Sequence, residues 1–107
     1  MARLGKQDIS SAATRYAVYT VPSDTQAVVN VLVCNRNSSV VKIRIAMEDS
    51  GSSAMADEDY IEYDADIPGN SVLERTAISM AVGEIISVQS DTAGVTCIVQ
   101  GVAESTS

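Results

Sequence analysis

The stretch YTVPSDTQAVVNVLVCNRNSSVVKIRIAM, Tyr19–Met47, decides the fold of this chain. It reads as a strand end, a turn, and two long strands joined by a polar connection. In the second long strand Val41, Ile43, Ile45 and Met47 alternate with Lys42, Arg44 and Ala46, the period of two of a strand with one face buried and the other wet. In the first, Ala27, Val29, Val31 and Val33 take one face while Val28, Asn30, Leu32 and Cys34 take the other. Both faces are mostly apolar, which suits a central strand, or one whose second face is covered by the second sheet or by another subunit.

Working outward, the same pattern recurs in short runs. TRYAVYTV from Thr14 is extended until Pro22 stops ladder bonding and Ser23–Thr25 supply a turn. Asn35–Ser39 turn the chain into the strand from Val40 to Met47. Glu48–Asp57, EDSGSSAMAD, has the composition of a loop, with a helical turn expected at Ala56–Glu58. Further strands are expected at Tyr60–Ile67, closed by Pro68-Gly69-Asn70, then at Val72–Thr76, Glu84–Ser90 and Val95–Val102. Strands at intervals of about ten residues, with no helix of three turns, predict an all-β fold: a single antiparallel β-sandwich or jelly-roll-like barrel of about seven or eight short strands. Residues 1–13 lack periodicity and read as a flexible N-terminal arm. The β-sandwich domain is expected over 14–104, and a frayed tail over 105–107.

A chain of 107 residues has room for one domain, large enough to fold without disulfides or metal. Its apolar residues are mainly Val, Ile and Ala, with no Trp or Phe and four Tyr, and β-branched side chains favour strands. The net charge of −7, from 14 acidic and seven basic residues, argues against a nucleic-acid partner, which calls for a basic stripe. The N-terminus has no signal-peptide core, and no run approaches the roughly 18 apolar residues that span a bilayer, so a cytoplasmic origin without membrane association is expected. In that reducing compartment Cys34 and Cys97 are expected as buried free thiols, with a cross-sheet disulfide as the other reading.

The absence of histidine removes the commonest general base and metal ligand. Cys34 and Cys97 have no CxxC partner, so a zinc or thiol-redox site is not indicated. Asp57, Glu58, Asp59, Glu62, Asp64 and Asp66 form a dense acidic group of hard oxygen donors. Their spacing lacks the DxDxDG calcium pattern, and Glu62, Asp64 and Asp66 share strand parity, which predicts a solvated strand face. Tyr16, Tyr19, Tyr60 and Tyr63 could line a carbohydrate- or partner-binding surface. Tyr60 and Tyr63 have opposite parity and are expected on opposite faces. No catalytic residue, cofactor or metal site is indicated.

Several of these segments together carry a family resemblance. YTVP with its short polar turn, AVVNVLVCNR, the charged alternating strand after it, DEDYIEYDADIPGNSVLERT and the closing IVQGVAE resemble small virion proteins of tailed phages across Tyr19–Glu104. The turn here is Ser-Asp-Thr-Gln where the relatives more often use glycine. The resemblance implies a compact β-sandwich accessory module of head or tail, structural and not an enzyme. A capsid decoration or cement protein on the head surface is the first expectation. A tail, neck or baseplate accessory protein, or a receptor- or carbohydrate-binding module of a fibre, are the alternatives. The expected partners are the major capsid protein or another virion protein, and further copies of the chain as a trimer or dimer, in a virion assembled in the host cytoplasm. The residues expected to meet them are Arg3, Leu4 and Ile9 in the arm, Val28 and Leu32 on the second face of the long strand, and Glu62, Asp64 and Asp66 on the acidic face.

Overall fold

The computed structural model describes residues 2–48 and 57–106. Within them eight strands follow one another: β1 (Ala2–Ile9), β2 (Tyr16–Thr20), β3 (Thr25–Asn35), β4 (Val41–Glu48), β5 (Tyr60–Ile67), β6 (Val72–Met80), β7 (Ile85–Ser90) and β8 (Val95–Ser105). Among the described residues the sole helical piece is a 3-10 turn at Asp57–Asp59, close to the expected one; Ala56 and most of the expected loop, 49–56, lie outside the described residues. No described helix is long and apolar enough to cross a membrane.

The strands form two antiparallel four-stranded sheets, ordered β1-β8-β3-β6 and β2-β7-β4-β5. The chain passes from one sheet to the other at every connection except the β4–β5 hairpin. Two sheets with this order are a jelly roll. Alternation explains why: Val29, Val31 and Val33 of β3 and Val41, Ile43 and Ile45 of β4 are buried between the sheets, with Ile86, Val88, Val95, Cys97 and Val99 completing the layer. Each such side chain contributes about 1.5–3 kcal/mol on leaving water, and β-branched residues have little rotamer freedom to lose in a strand.

Residues 2–9 are not an arm. They pair along β8 from Ala2 opposite Gly101 to Ile9 opposite Val95, and Ile9 is fully buried. Two local features hide this strand in the sequence. Leu4 is an extra residue between the Arg3 and Gly5 pairs, which breaks the alternation. Gly5 lies so near β2 that a Cβ there would sit 2.3 Å from the Val18 carbonyl oxygen, so the position lacks the side chain that would have marked a strand. The C-terminal tail is likewise held: Ser105 is opposite Thr25, and the Thr106 N–H donates to the Asp24 carbonyl at 2.9 Å. Ser107 lies outside the described residues.

All four edge strands carry a bulge. Leu4 interrupts β1 and Val18 interrupts β2. In β5 the register shifts on both sides of the Glu62–Ile45 pair, and in β6 it shifts between Arg75 and Ile78. Asp64 and Ala77, at the β5 and β6 bulges, have φ of 51° and 58°. Bulges twist an edge and blunt its capacity to accept a further strand.

One end of the sandwich is stapled by Asn35, which is fully buried. Its Nδ2 donates to the carbonyls of Ser39 at 2.8 Å, Ile67 at 3.1 Å and Pro68 at 3.2 Å. Its Oδ1 accepts from the Asn37 backbone N–H at 2.9 Å and from Asn37 Nδ2 at 3.1 Å. Asn37 Nδ2 also reaches the Ala93 carbonyl at 2.8 Å. The β3–β4, β5–β6 and β7–β8 connections are thereby tied into one unit.

Candidate partner-binding faces

The outward face of β1-β8-β3-β6 is built from the residues that alternate with the core. In β3 these are Val28, Asn30, Leu32 and Cys34, and opposite them on β8 stand Val102, Gln100, Ile98 and Thr96. Ser79, Glu74 and Val72 continue the face on β6, and Arg3, Lys6 and Asp8 continue it on β1. Val28, Val102 and Val72 are about half exposed. The second apolar face of β3 is therefore an outer surface, not a layer between the sheets. At one end it runs into a groove of about 710 Å³ lined by Val28, Met80, Ala81, Val102, Glu84 and Glu104.

Of the arm residues expected at a partner, Arg3 is exposed on this face, Leu4 is partly buried against the core, and Ile9 is wholly inside it. Ile9 is thus a core residue. Val28 and Leu32 do lie on the outer face, Leu32 half-buried by its neighbours.

The outward face of β2-β7-β4-β5 is charged. Lys42 Nζ donates to Asp66 at 2.8 Å, and Arg44 holds Asp64 through Nε at 2.7 Å and Nη2 at 3.4 Å. Hydrogen bonding from Arg44 keeps the Asp64 carboxyl below its usual pKa, and the same bond raises that of Arg44. Asp66 raises that of Lys42 in the same way.

Glu62 is not on this face. The β5 bulge changes the parity between Glu62 and Asp64, so Glu62 stands opposite the fully buried Ile45 with its side chain 12% exposed. It pairs with Arg75 of β6. The expected row of three solvated carboxylates is therefore two exposed aspartates, each holding a cation, and one inward glutamate. Among the described residues no three acidic or thiol side chains are grouped to hold a metal.

The same bulge brings Tyr60 and Tyr63 together, against the expectation from parity. Their rings meet edge to face with centroids 5.0 Å apart, and the Arg44 guanidinium lies 4.1 Å from the Tyr63 centroid. Tyr63 is 59% exposed. Tyr16 and Tyr19 pack at the edge of the core instead.

Two polar groups escaped the sequence reading. Glu48 is the last residue of β4, not the first of a loop, and it is buried, accepting a hydrogen bond from Ser87 Oγ with Arg15 Nε 3.5 Å away. Its strand position follows from the unbroken alternation of β4, one residue beyond Met47. Asn35 gave no signal beyond a turn-forming residue. The cysteines are both free: Cys97 faces the core and Cys34 the outer surface of the same sheet, so they cannot pair. Burial pushes the Cys97 thiol up to about 12.

No family model matches the chain, and no curated protein matches it.

Proposed function

We propose that this protein is a non-enzymatic structural subunit of a tailed-phage virion, a decoration protein bound to the outer surface of the head. The observation that carries the reading is the outer face of β1-β8-β3-β6, where Val28 with Val102 and Leu32 with Ile98, parted by Asn30 and Gln100, and Val72 make apolar patches on a surface that no other strand of the described residues covers. All four edges are bulged, so a partner is met through a face and not by adding a strand. A rigid module of this kind gains avidity on a repeated lattice, where symmetry multiplies each weak contact. The resemblance of Tyr19–Glu104 to small virion proteins points the same way.

Electron microscopy of particles assembled with and without the protein tests the reading. Loss of surface density from the head and lower resistance of the particle to heat support it; density lost from the tail or neck moves the subunit there. An intact particle with every density in place overturns it.

One observation favours a second reading. Tyr60 and Tyr63, gathered by the bulge beside Arg44, form an aromatic pair whose exposed member, Tyr63, offers a flat apolar ring with a polar tip to a sugar, as in a receptor-binding module of a fibre. Glycan-array binding lost in Tyr63→Ala supports it, and an array with no binding removes it.

A further inference from the structure

We infer that the outer face of β1-β8-β3-β6 is closed by a second copy of the same chain, the two copies related by a twofold axis parallel to the strands. The inference rests on the proposed reading of this face as one that assembly covers, and assigns the cover to a second subunit, so that the dimer meets the head through its remaining surfaces. One straight row crosses the sheet: Lys6 is opposite Ile98, Ile98 is opposite Leu32, and Leu32 is opposite Glu74. The row reads cation, apolar, apolar, anion. Lys6 and Glu74 form no ion pair among the described residues.

A twofold axis along the strands, passing between Ile98 and Leu32, lays this row on its own reverse. Lys6 of each copy then meets Glu74 of the other, and Ile98 meets Leu32, so both ionic contacts and the apolar centre form together. Charge on the rest of the face permits it. Arg3, Lys6 and Arg36 stand there against Asp8, Glu74 and Glu104, with Glu84 beside Glu104 in the end groove and Arg36 already on Asp8, an excess of one negative charge where the whole chain carries −7. On this nearly neutral surface two acidic molecules repel each other little.

The size is at the threshold. Four strands at standard spacing and rise, over about eight residues, cover roughly 500 Å² per copy. Two copies bury on the order of 1,000 Å², the least that a specific interface has to clear and the area of a weak, reversible dimer. Aligned packing of two sheet faces is an ordinary arrangement.

The test uses sedimentation velocity on the full chain across a concentration series, with Lys6→Glu, Glu74→Lys, and an equimolar mixture of the two. Both substitutions are on the surface, and circular dichroism checks that each variant folds. Each variant alone sets like charges against each other at both contacts and is expected to weaken the dimer by about tenfold or more. Mixed, the two are expected to regain dimers, because the carboxylate introduced in one variant then meets the ammonium introduced in the other, and the native Lys6 and Glu74 that remain meet as before. A wild-type chain that stays monomeric overturns the inference, as does a dimer indifferent to either reversal. Binding of the same variants to particles lacking the protein is measured in parallel. Particle binding by a wild-type chain that does not dimerise discards the twofold contact and keeps the virion reading; dimers that bind no particle do the reverse.

Discussion

Glu62 on β5 and Arg75 on β6 form an ion pair between the two sheets, at the side of the sandwich where their edge strands lie across from each other. Each stands opposite a fully buried residue, Ile45 and Val31, so both side chains are directed inward at the margin of the core. The glutamate is largely covered and the arginine half exposed. Removing the arginine strands a carboxylate in low dielectric, whereas replacing both leaves no charge to desolvate. Arg75→Met is expected to lower stability by about 1–3 kcal/mol, and the double change Glu62→Leu with Arg75→Met by less than Arg75→Met alone. Urea unfolding of the four chains of this cycle measures the difference.

Asn35 supplies every hydrogen bond that its buried amide can make, to three carbonyls and to Asn37. Asn35→Leu fills the volume and removes all of these bonds at once, a loss of about 3 kcal/mol. Thermal unfolding is expected to fall by more than about 10 °C for a domain of this size, with faster amide exchange at Asn37 and Asn70.

Asp64 has a pKa lowered by its hydrogen bond from Arg44. A depressed carboxyl pKa gives stability that is present above the unfolded value of about 3.9 and is lost as pH falls through the folded one. Asp64→Asn keeps a residue type that tolerates positive φ. The stability advantage of wild type over this variant is expected to be constant near neutral pH and to shrink below about pH 4, as followed by denaturant unfolding at a series of pH values. A difference that does not vary with pH contradicts the assignment.

Ala77 sits at φ 58° in the β6 bulge, with its N–H donating to Asn30 Oδ1 at 3.0 Å. Left-handed backbone costs a residue with a Cβ about 1–2 kcal/mol, more than the extra freedom that glycine loses on folding. Ala77→Gly is therefore expected to raise the thermal midpoint, although the same change inside a regular strand lowers it. Ala77→Val is expected to lower it.

The two thiols differ in reach. Cys34 is half-buried on the outer face, and Cys97 is buried with its pKa pushed up to about 12. A disulfide-exchange reagent at pH 8 is expected to modify Cys34 in the folded protein and Cys97 only on unfolding. If the twofold contact forms, modification of Cys34 slows as protein concentration rises.

Seven of the eight strands were legible as extended runs between turn signals, and alternation holds without interruption in the central strands β3, β4, β7 and β8, whose pairing on both sides keeps each residue to its face. What alternation missed lies at the edges. Leu4 and Gly5 disguised β1, and Ala77 hid the second half of β6, expected to stop at Thr76 but continuing to Met80. The β5 bulge turned Glu62 inward and put Tyr60 beside Tyr63, so the acidic face expected from parity does not exist as one row. An extra residue in an edge strand leaves no mark in composition, since Leu4, Val18 and Ala77 are ordinary strand or filler residues. The outer apolar residues were legible in Val28 and Leu32; that they share a surface with Ile98, Val102 and Val72 depends on register, which a single strand does not carry.

The claim that this is a head-bound structural subunit is tested most directly by its copy number in purified particles, measured by quantitative mass spectrometry against the major capsid protein. The protein is expected to stay with the particle through density-gradient purification, in hundreds of copies. Its absence from the purified particle, or a handful of copies per particle, would contradict a decoration role.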